Sequence, residues 1–512
     1  MLATIPSATV LGAKGRLVDV EVHVGIGLPG TSLVGLPDAS CREGVHRVTA
    51  AFQSAELTWP GTTRRVTINL APPGLRKLGS GLDLAIAVAA IVAGEVVKAD
   101  SAAGLAFVGE LGLDGRLRSV PGVLPMAAAL GAVESVRSIV VPPASYHEAT
   151  LVAGHDRIRV VRDLTELVGL LRGELAWPHP PPPALPEPEA PPLDLRDVRG
   201  QLLARRALEV AAAGGHHLLF VGPPGAGKTM LAKRLVGLLP PLDPLDALEV
   251  SSVWSAAGLR LPASGLLSVP PLRAPHHSAS IPAIIGGGTA WLRPGEVSCA
   301  HRGVLFLDEL TEFPPSVLES LRTPLEEGVV RVARAREAVE LPARFLLVGA
   351  TNPCPCGEGG RPGACRCGSG ARARHLRRLS GPLLDRFDLR VEVARPEAGQ
   401  LLGGPPGEAT AAVRERVLVA RALAAERGVR ANADLDAAGL DEVAVPGEDA
   451  AGLLGAAIAA GRLSGRGLAR VRAVARTLAD LDGHPGPVLS AEHVALALAL
   501  RQPLVEPDDR AA

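Results

Sequence analysis

His217-Leu218-Leu219-Phe220-Val221-Gly222-Pro223-Pro224-Gly225-Ala226-Gly227-Lys228-Thr229 reads as a short apolar strand running into a glycine loop, and this stretch decides the fold. The octet Gly222 to Thr229 matches G-x-x-x-x-G-K-T in the context that pattern requires, a strand before it and a helix after it. Glycines at these places let backbone N–H groups turn inward around a phosphate, and the start of the following helix adds its positive end. Lys228 is placed to hold β- and γ-phosphates, and the Thr229 hydroxyl to meet Mg²⁺. The chain has only five lysines among its 53 basic residues, so Lys228 stands apart from the general arginine bias.

Downstream, Gly303-Val304-Leu305-Phe306-Leu307-Asp308-Glu309 is a second apolar strand, ending in two carboxylates. Asp308 is the expected partner of the metal's water shell, and Glu309 the expected base or positioner of an attacking water. Asn352 follows a third apolar run, Phe345 to Val348, where a polar side chain can orient that water; alone it would be a turn residue. In Ser380-Gly381-Pro382-Leu383-Leu384-Asp385-Arg386-Phe387-Asp388 one arginine sits beside two carboxylates. Arg386 is either a structural ion-pair partner or an arginine finger offered to a neighbouring subunit.

Short strands alternating with helical stretches predict a parallel α/β sheet that binds its ligand at the carboxyl ends of the strands. The chain has 512 residues, more than one ordinary core of about 100–200 residues can organise. Nine prolines between Trp177 and Pro192 form a stiff spacer. The boundaries expected are a mixed α/β unit over 1–175, the linker at 176–195, the nucleotide core over 196–396 with a cysteine-rich loop at 354–367, and a helical region over 397–512. In the first unit Leu17–Val24 and Arg65–Leu70 alternate like strands, and Ser80–Val92 reads as a buried helix.

Fifty-three basic and 53 acidic residues cancel, so overall charge gives no argument for nucleic acid and any such surface must be local. No apolar run is long and unbroken enough for a membrane span, and Met1–Val10 lacks the character of a secretory signal. A cytoplasmic protein with no membrane partner is expected. Four of the six cysteines, Cys354, Cys356, Cys365 and Cys367, form two C-x-C pairs in one loop. They are either a tetrahedral zinc site or four thiols in a glycine-rich loop, the spacing being tighter than the usual C-x-x-C. His375 lies within reach of them in sequence. Between Gly359 and Leu384 there are arginines but no acidic residue, a stretch that either tracks a phosphate backbone or is a solvated helix face.

These landmarks resemble the AAA+ family of magnesium-chelatase-like ATPases, in its ComM/YifB group. Ala274-Pro275-His276-His277-Ser278-Ala279-Ser280, Gly286-Gly287-Gly288, Pro294-Gly295-Glu296-Val297-Ser298 and Asn352-Pro353-Cys354-Pro355-Cys356-Gly357 carry the likeness. The resemblance implies an AAA+ P-loop core with a C-terminal helical lid, ATP and Mg²⁺ as ligands, and Asn352 as sensor 1. It also implies Arg386 as the trans-acting finger and Arg466 as sensor 2, with Arg470 the competing choice. A finger acting in trans implies a closed homo-oligomeric ring, hexameric in the family.

The first unit resembles the Lon-protease-type, ribosomal-S5-like fold through Phe107-Val108-Gly109-Glu110-Leu111 and Val120-Pro121-Gly122-Val123. Asp83 stands at the nucleophile's place and Leu124 at the lysine's, so a binding or assembly role is expected, not peptide cleavage. The leading functional expectation is an ATP-driven motor on single-stranded or branched DNA, a branch-migration helicase of recombination or natural transformation. Its alternative is a chelatase-type ATPase remodelling a protein partner.

Overall fold

The computed structural model describes residues 1–179, 193–288, 292–334, 337–359 and 364–503. Most of the expected proline linker lies outside the described residues. The first unit is built on a four-stranded sheet, in the order Leu2–Leu11, Lys14–Gly25, Arg65–Ala71, Gly30–Val34. Its long hairpin alternates buried with more exposed positions over Leu2–Pro6 and Val18–Gly25, so one face is apolar, while Ser7–Val10 are buried on both faces. The helix Asp83–Ala93, buried at every position, covers that face. A helix apolar all round must be enclosed on all sides, and it is. Three parallel strands, Leu105–Phe107, Ser138–Val141 and Ile158–Val160, form a second small sheet.

Asp83, at the start of that helix, accepts two hydrogen bonds from Arg47, at 2.7 and 3.1 Å, and a third from the Leu111 N–H at 3.3 Å. The carboxylate is 1% exposed, so the pair is a structural latch of the core. Removing one partner leaves a buried charge uncompensated. Arg47→Ala is expected to destabilise the first unit by about 3–5 kcal/mol, read by chemical unfolding; Arg47→Met with Asp83→Leu should regain much of that loss.

The second sheet is parallel throughout, in the order Leu272–Arg273, Val304–Leu307, Leu346–Thr351, Leu218–Val221, Leu389–Glu392. Leu218–Val221 and Val304–Leu307 are short continuous apolar runs and Leu346–Thr351 is buried throughout, as strands covered on both faces require, whereas Leu389–Glu392 at the sheet's edge alternates apolar and charged residues. One face packs under the helices Leu202–Gly214, Thr410–Glu426 and Gly465–Leu481 in a single apolar core. The helical region expected from 397 onward is thus part of the same core as the sheet. A buried polar chain crosses the seam: His216 reaches Asp388 at 3.2 Å and Thr477 at 2.8 Å, and Asn432 donates to Asp480 at 2.8 Å. Arg427 completes it with two 2.6 Å bonds to Asp480.

His217, at the foot of the strand Leu218–Val221, accepts the Leu347 N–H on Nδ1 at 3.0 Å. Burial pushes its pKa down to about 4 from 6.5, so the folded state keeps the ring neutral. As pH falls from 6.5 toward 4 the unfolded chain takes up a proton that the folded one does not, so stability declines across that window. The expected loss is about 1–3 kcal/mol. His217→Asn, which keeps an acceptor without titrating, should flatten this part of the stability–pH curve.

Leu124 is fully buried with Val250, Leu261 and Leu267 of the second unit. Its N–H donates to Glu148 at 3.0 Å and to Ser255 at 3.3 Å. No helix of the described residues is long and apolar enough to cross a membrane.

Candidate nucleotide site

At the carboxyl ends of Leu218–Val221, Val304–Leu307 and Leu346–Thr351 three loops converge. Gly225 and Gly227 adopt φ of +77° and +94°, which a side-chain-bearing residue resists, and a Cβ at either would point into open space. The loop is thereby free to present backbone N–H groups to a ligand, and the helix Lys228–Arg234 begins at its end. Lys228 folds back over the loop, donating to Gly222 O at 2.5 Å, Pro223 O at 3.0 Å and Asn352 Oδ1 at 3.0 Å. Burial pushes its pKa down, against the pull of Asp308 and Glu309. The ammonium is thus poised among neutral oxygens that an anion would displace.

Thr229 Oγ1 donates to Asp308 Oδ2 at 2.6 Å, bringing together the hydroxyl and carboxylate that hold Mg²⁺ in such sites. The open loop, the ammonium held only by neutral oxygens and this oxygen pair fit a nucleoside triphosphate with its magnesium. Glu309 has a left-handed backbone (φ 51°), a strained conformation for a non-glycine residue, and is 57% exposed. Its carboxylate lies 3.2 Å from His277 Nδ1. The backbone turns at His277, and the His276 and His277 rings lie with centroids 4.0 Å apart. Stacking leaves His277 facing the acidic pair, a contact between segments 32 residues apart that no local pattern encodes.

Arg386 lies elsewhere. Asp388 and Leu389 donate their N–H groups to His217 O, so Arg386 sits level with the amino ends of the strands. The P-loop starts at the other end, a strand of four residues away, or roughly 13 Å. Arg386 is ion-paired with Glu326. Burial lowers its pKa, and so do Arg470, Arg466 and Arg322 nearby. It borders a cleft of about 770 Å³ shared with His217, Glu326, Asp388, Arg430 and Arg470. Arg470 donates to Arg386 O at 3.0 Å and pairs with Asp388, whereas Arg466 is exposed. Both sensor-2 candidates therefore lie with Arg386 and not beside the P-loop of their own chain.

Cys354, Cys356, Cys365 and Cys367 converge, their sulfurs all within 4.8 Å of one another, a group that could hold a metal ion. His375 does not join them: its Nε2 is 3.1 Å from Asn352 O and 3.2 Å from Thr311 Oγ1. Cys41 and Cys299 are buried single thiols, and burial pushes the Cys299 pKa up to about 12. The helix Ser369–Leu376 and the turn after it carry Arg374, Arg377 and Arg378 outward, Arg378 pairing with Glu312 at 3.2 Å.

A parallel sheet with a phosphate loop and an acidic pair at its carboxyl edge defines the class of P-loop nucleotide-binding proteins, here with AAA+ character. Family descriptions agree: "Magnesium chelatase, subunit ChlI" matches residues 194–401, "Subunit ChlI of Mg-chelatase" 20–145, and "Magnesium chelatase, subunit ChlI C-terminal" 407–501. An uncharacterised protein of Mycobacterium tuberculosis is 46% identical over 97% of this chain and 98% of its own. Competence protein ComM of Haemophilus influenzae is 42% identical over 98% and 97%, and YifB of Escherichia coli 40% over 98% and 97%. The chain belongs to the ComM/YifB-type magnesium-chelatase-like family.

Proposed function

We propose that the protein is an ATPase that works as a closed ring of identical subunits, six as the family resemblance implies, and that it moves on DNA. The observation that carries this reading is the placement of Arg386. It lies too far from Lys228 to serve its own P-loop, yet sits in a cluster of arginines at the surface of the sheet's other end. A head-to-tail neighbour would bring one chain's cluster to the next chain's phosphates, and such a contact closes into a ring. Magnesium held by Thr229 and Asp308 would neutralise charge on the phosphates. Lys228 binds the phosphate oxygens, Glu309 positions and deprotonates the water, and Asn352 orients it from the opposite side. Arg386, with Arg466 as the accompanying sensor, offsets charge as the terminal phosphate leaves.

Glu309→Gln keeps the shape and removes the base. Hydrolysis is expected to fall by about 10²–10³ while ATP stays bound, read as nucleotide retained through gel filtration.

DNA as the track draws on the relative whose name is competence protein and on the outward arginines Arg374 and Arg377, in a stretch free of carboxylates. Aromatic residues are 2% of the chain, so contact rests on phosphate charge more than on base stacking. The first unit is read as an assembly or binding module of Lon-like type. Asp83 is locked by Arg47, and Leu124 is sealed against the second unit.

The deciding experiment is ATP turnover by the purified protein with and without single-stranded, duplex and branched DNA at two salt concentrations, with Lys228→Ala as control. Stimulation that salt removes supports the DNA motor. Turnover indifferent to every DNA moves the reading to a chelatase-type ATPase that remodels a protein.

A further inference from the structure

Glu309 has to meet a water at one place, yet its own turn fixes only its backbone. Asp308 Oδ1 accepts the Glu309 N–H at 2.9 Å, and Glu309 O accepts the Glu312 N–H at 2.7 Å. Neither bond touches the carboxylate. The side chain is 57% exposed, and a long exposed side chain loses entropy when it is held in one rotamer. The contact to the carboxylate comes from far along the chain, from His277, whose Nδ1 lies 3.2 Å from Oε2.

His277 is held more firmly than the group it touches. Its ring lies against the His276 ring, with centroids 4.0 Å apart, and meets the Phe313 ring edge-on at 6.4 Å. Phe313 is 1% exposed, part of the core beneath the acidic pair. His276 is tied down in turn, its Nδ1 2.8 Å from Ser278 Oγ and its carbonyl accepting the Ala279 N–H at 2.9 Å. Just beyond, Ile284 of the helix Ile281–Ile285 is fully buried in the same core. The neck of the segment is closed by Arg273, which donates to Glu296 at 2.5 and 2.8 Å. A ring fixed by packing on two sides offers a donor whose place is set before any ligand arrives.

The order of strands says which side of Glu309 this donor occupies. Leu272–Arg273, Val304–Leu307, Leu346–Thr351 and Leu218–Val221 are successive neighbours in the sheet. Along its carboxyl edge the sequence of groups is therefore His277, Glu309, Asn352 and the P-loop. His277 backs the carboxylate from the side away from Lys228 and touches neither the P-loop lysine nor Asn352 among its described contacts.

We propose that His277 is a positioning residue for hydrolysis: with its proton on Nδ1 it donates to Glu309 Oε2 and so holds the other carboxylate oxygen ready for the attacking water. The role rests on the ATPase reading above. A carboxylate without this support samples rotamers that miss the water, which lowers turnover and leaves nucleotide binding as it was.

The test compares full-length wild type, His277→Phe and His277→Asn for ATP turnover and for affinity toward a fluorescent ATP analogue. Phenylalanine keeps a ring against His276 and Phe313 and removes the donor, whereas the asparagine amide nitrogen stands where Nδ1 stood. His277→Phe should lower kcat by on the order of tenfold with KM and affinity unchanged, and unchanged affinity also shows the site to be folded. His277→Asn should recover most of that loss. In a Glu309→Gln background, measured by single turnover, His277→Phe should cost nothing further, because a residue that acts through the carboxylate has no effect once the carboxylate is gone. Full turnover by His277→Phe, an equal loss in the Phe and Asn variants, or the same added loss in the Glu309→Gln background each overturns the role. A rise in turnover on removing the donor overturns it as well, since the contact would then be drawing Glu309 away from the water. A wild-type chain that binds MgATP without hydrolysing it removes the ATPase reading and this role together, an outcome the wild type alone reveals.

Discussion

Arg386→Ala is expected to lower ATP turnover by about 10³-fold or more while leaving nucleotide affinity near the wild-type value, the range found for arginine fingers being about 10³–10⁵. The residue lies at the amino end of the sheet and the P-loop at the carboxyl end, so binding in the same chain should not sense its loss. Mixing sharpens the test. Arg386→Ala and Lys228→Ala are each expected to be inactive alone, but a mixed ring pairs an intact P-loop with an intact finger at some interfaces. An equal mixture should regain up to about a quarter of wild-type turnover if subunits assort at random around a closed ring. No recovery in rings shown to be mixed would sink the trans reading and return Arg386 to a structural role with Glu326.

Lys228→Ala is expected to abolish measurable hydrolysis and to remove nucleotide-dependent stabilisation. With ligand at 100 times Kd the wild-type chain should gain about 2.7 kcal/mol; the variant should gain almost nothing. Its ammonium touches three oxygens, all supplied by the P-loop and Asn352, so the substitution leaves no buried charge behind. The folded baseline should therefore move little. A variant that still melts higher with MgATP would show that backbone N–H groups alone hold the phosphates.

Much of the nucleotide site was legible in the chain because its parts are local. A strand, a glycine loop and a helix start are contiguous in Leu218–Arg234, and the acidic pair ends its own strand at Leu307. The strands near 17–24, 65–70, 217–221, 304–307 and 345–348 were visible for the same reason, since apolar runs and alternation are short-range patterns. The expected third strand extends to Thr351 in the structure, which places Asn352 directly at the sheet's edge. His277 beside Glu309 was not legible, because the contact depends on how an insert folds back over the sheet.

The sequence by itself determined the class of the core, the chemistry of the phosphate loop and the presence of four clustered thiols, because each is written in neighbouring residues whose geometry the backbone enforces locally. Only the tertiary structure decided which end of the sheet each arginine occupies, that the C-terminal helices share the sheet's core, and that the cysteine loop rests on Pro224. Those relations join segments up to hundreds of residues apart, and they are set by how apolar faces close over one another and not by any spacing along the chain.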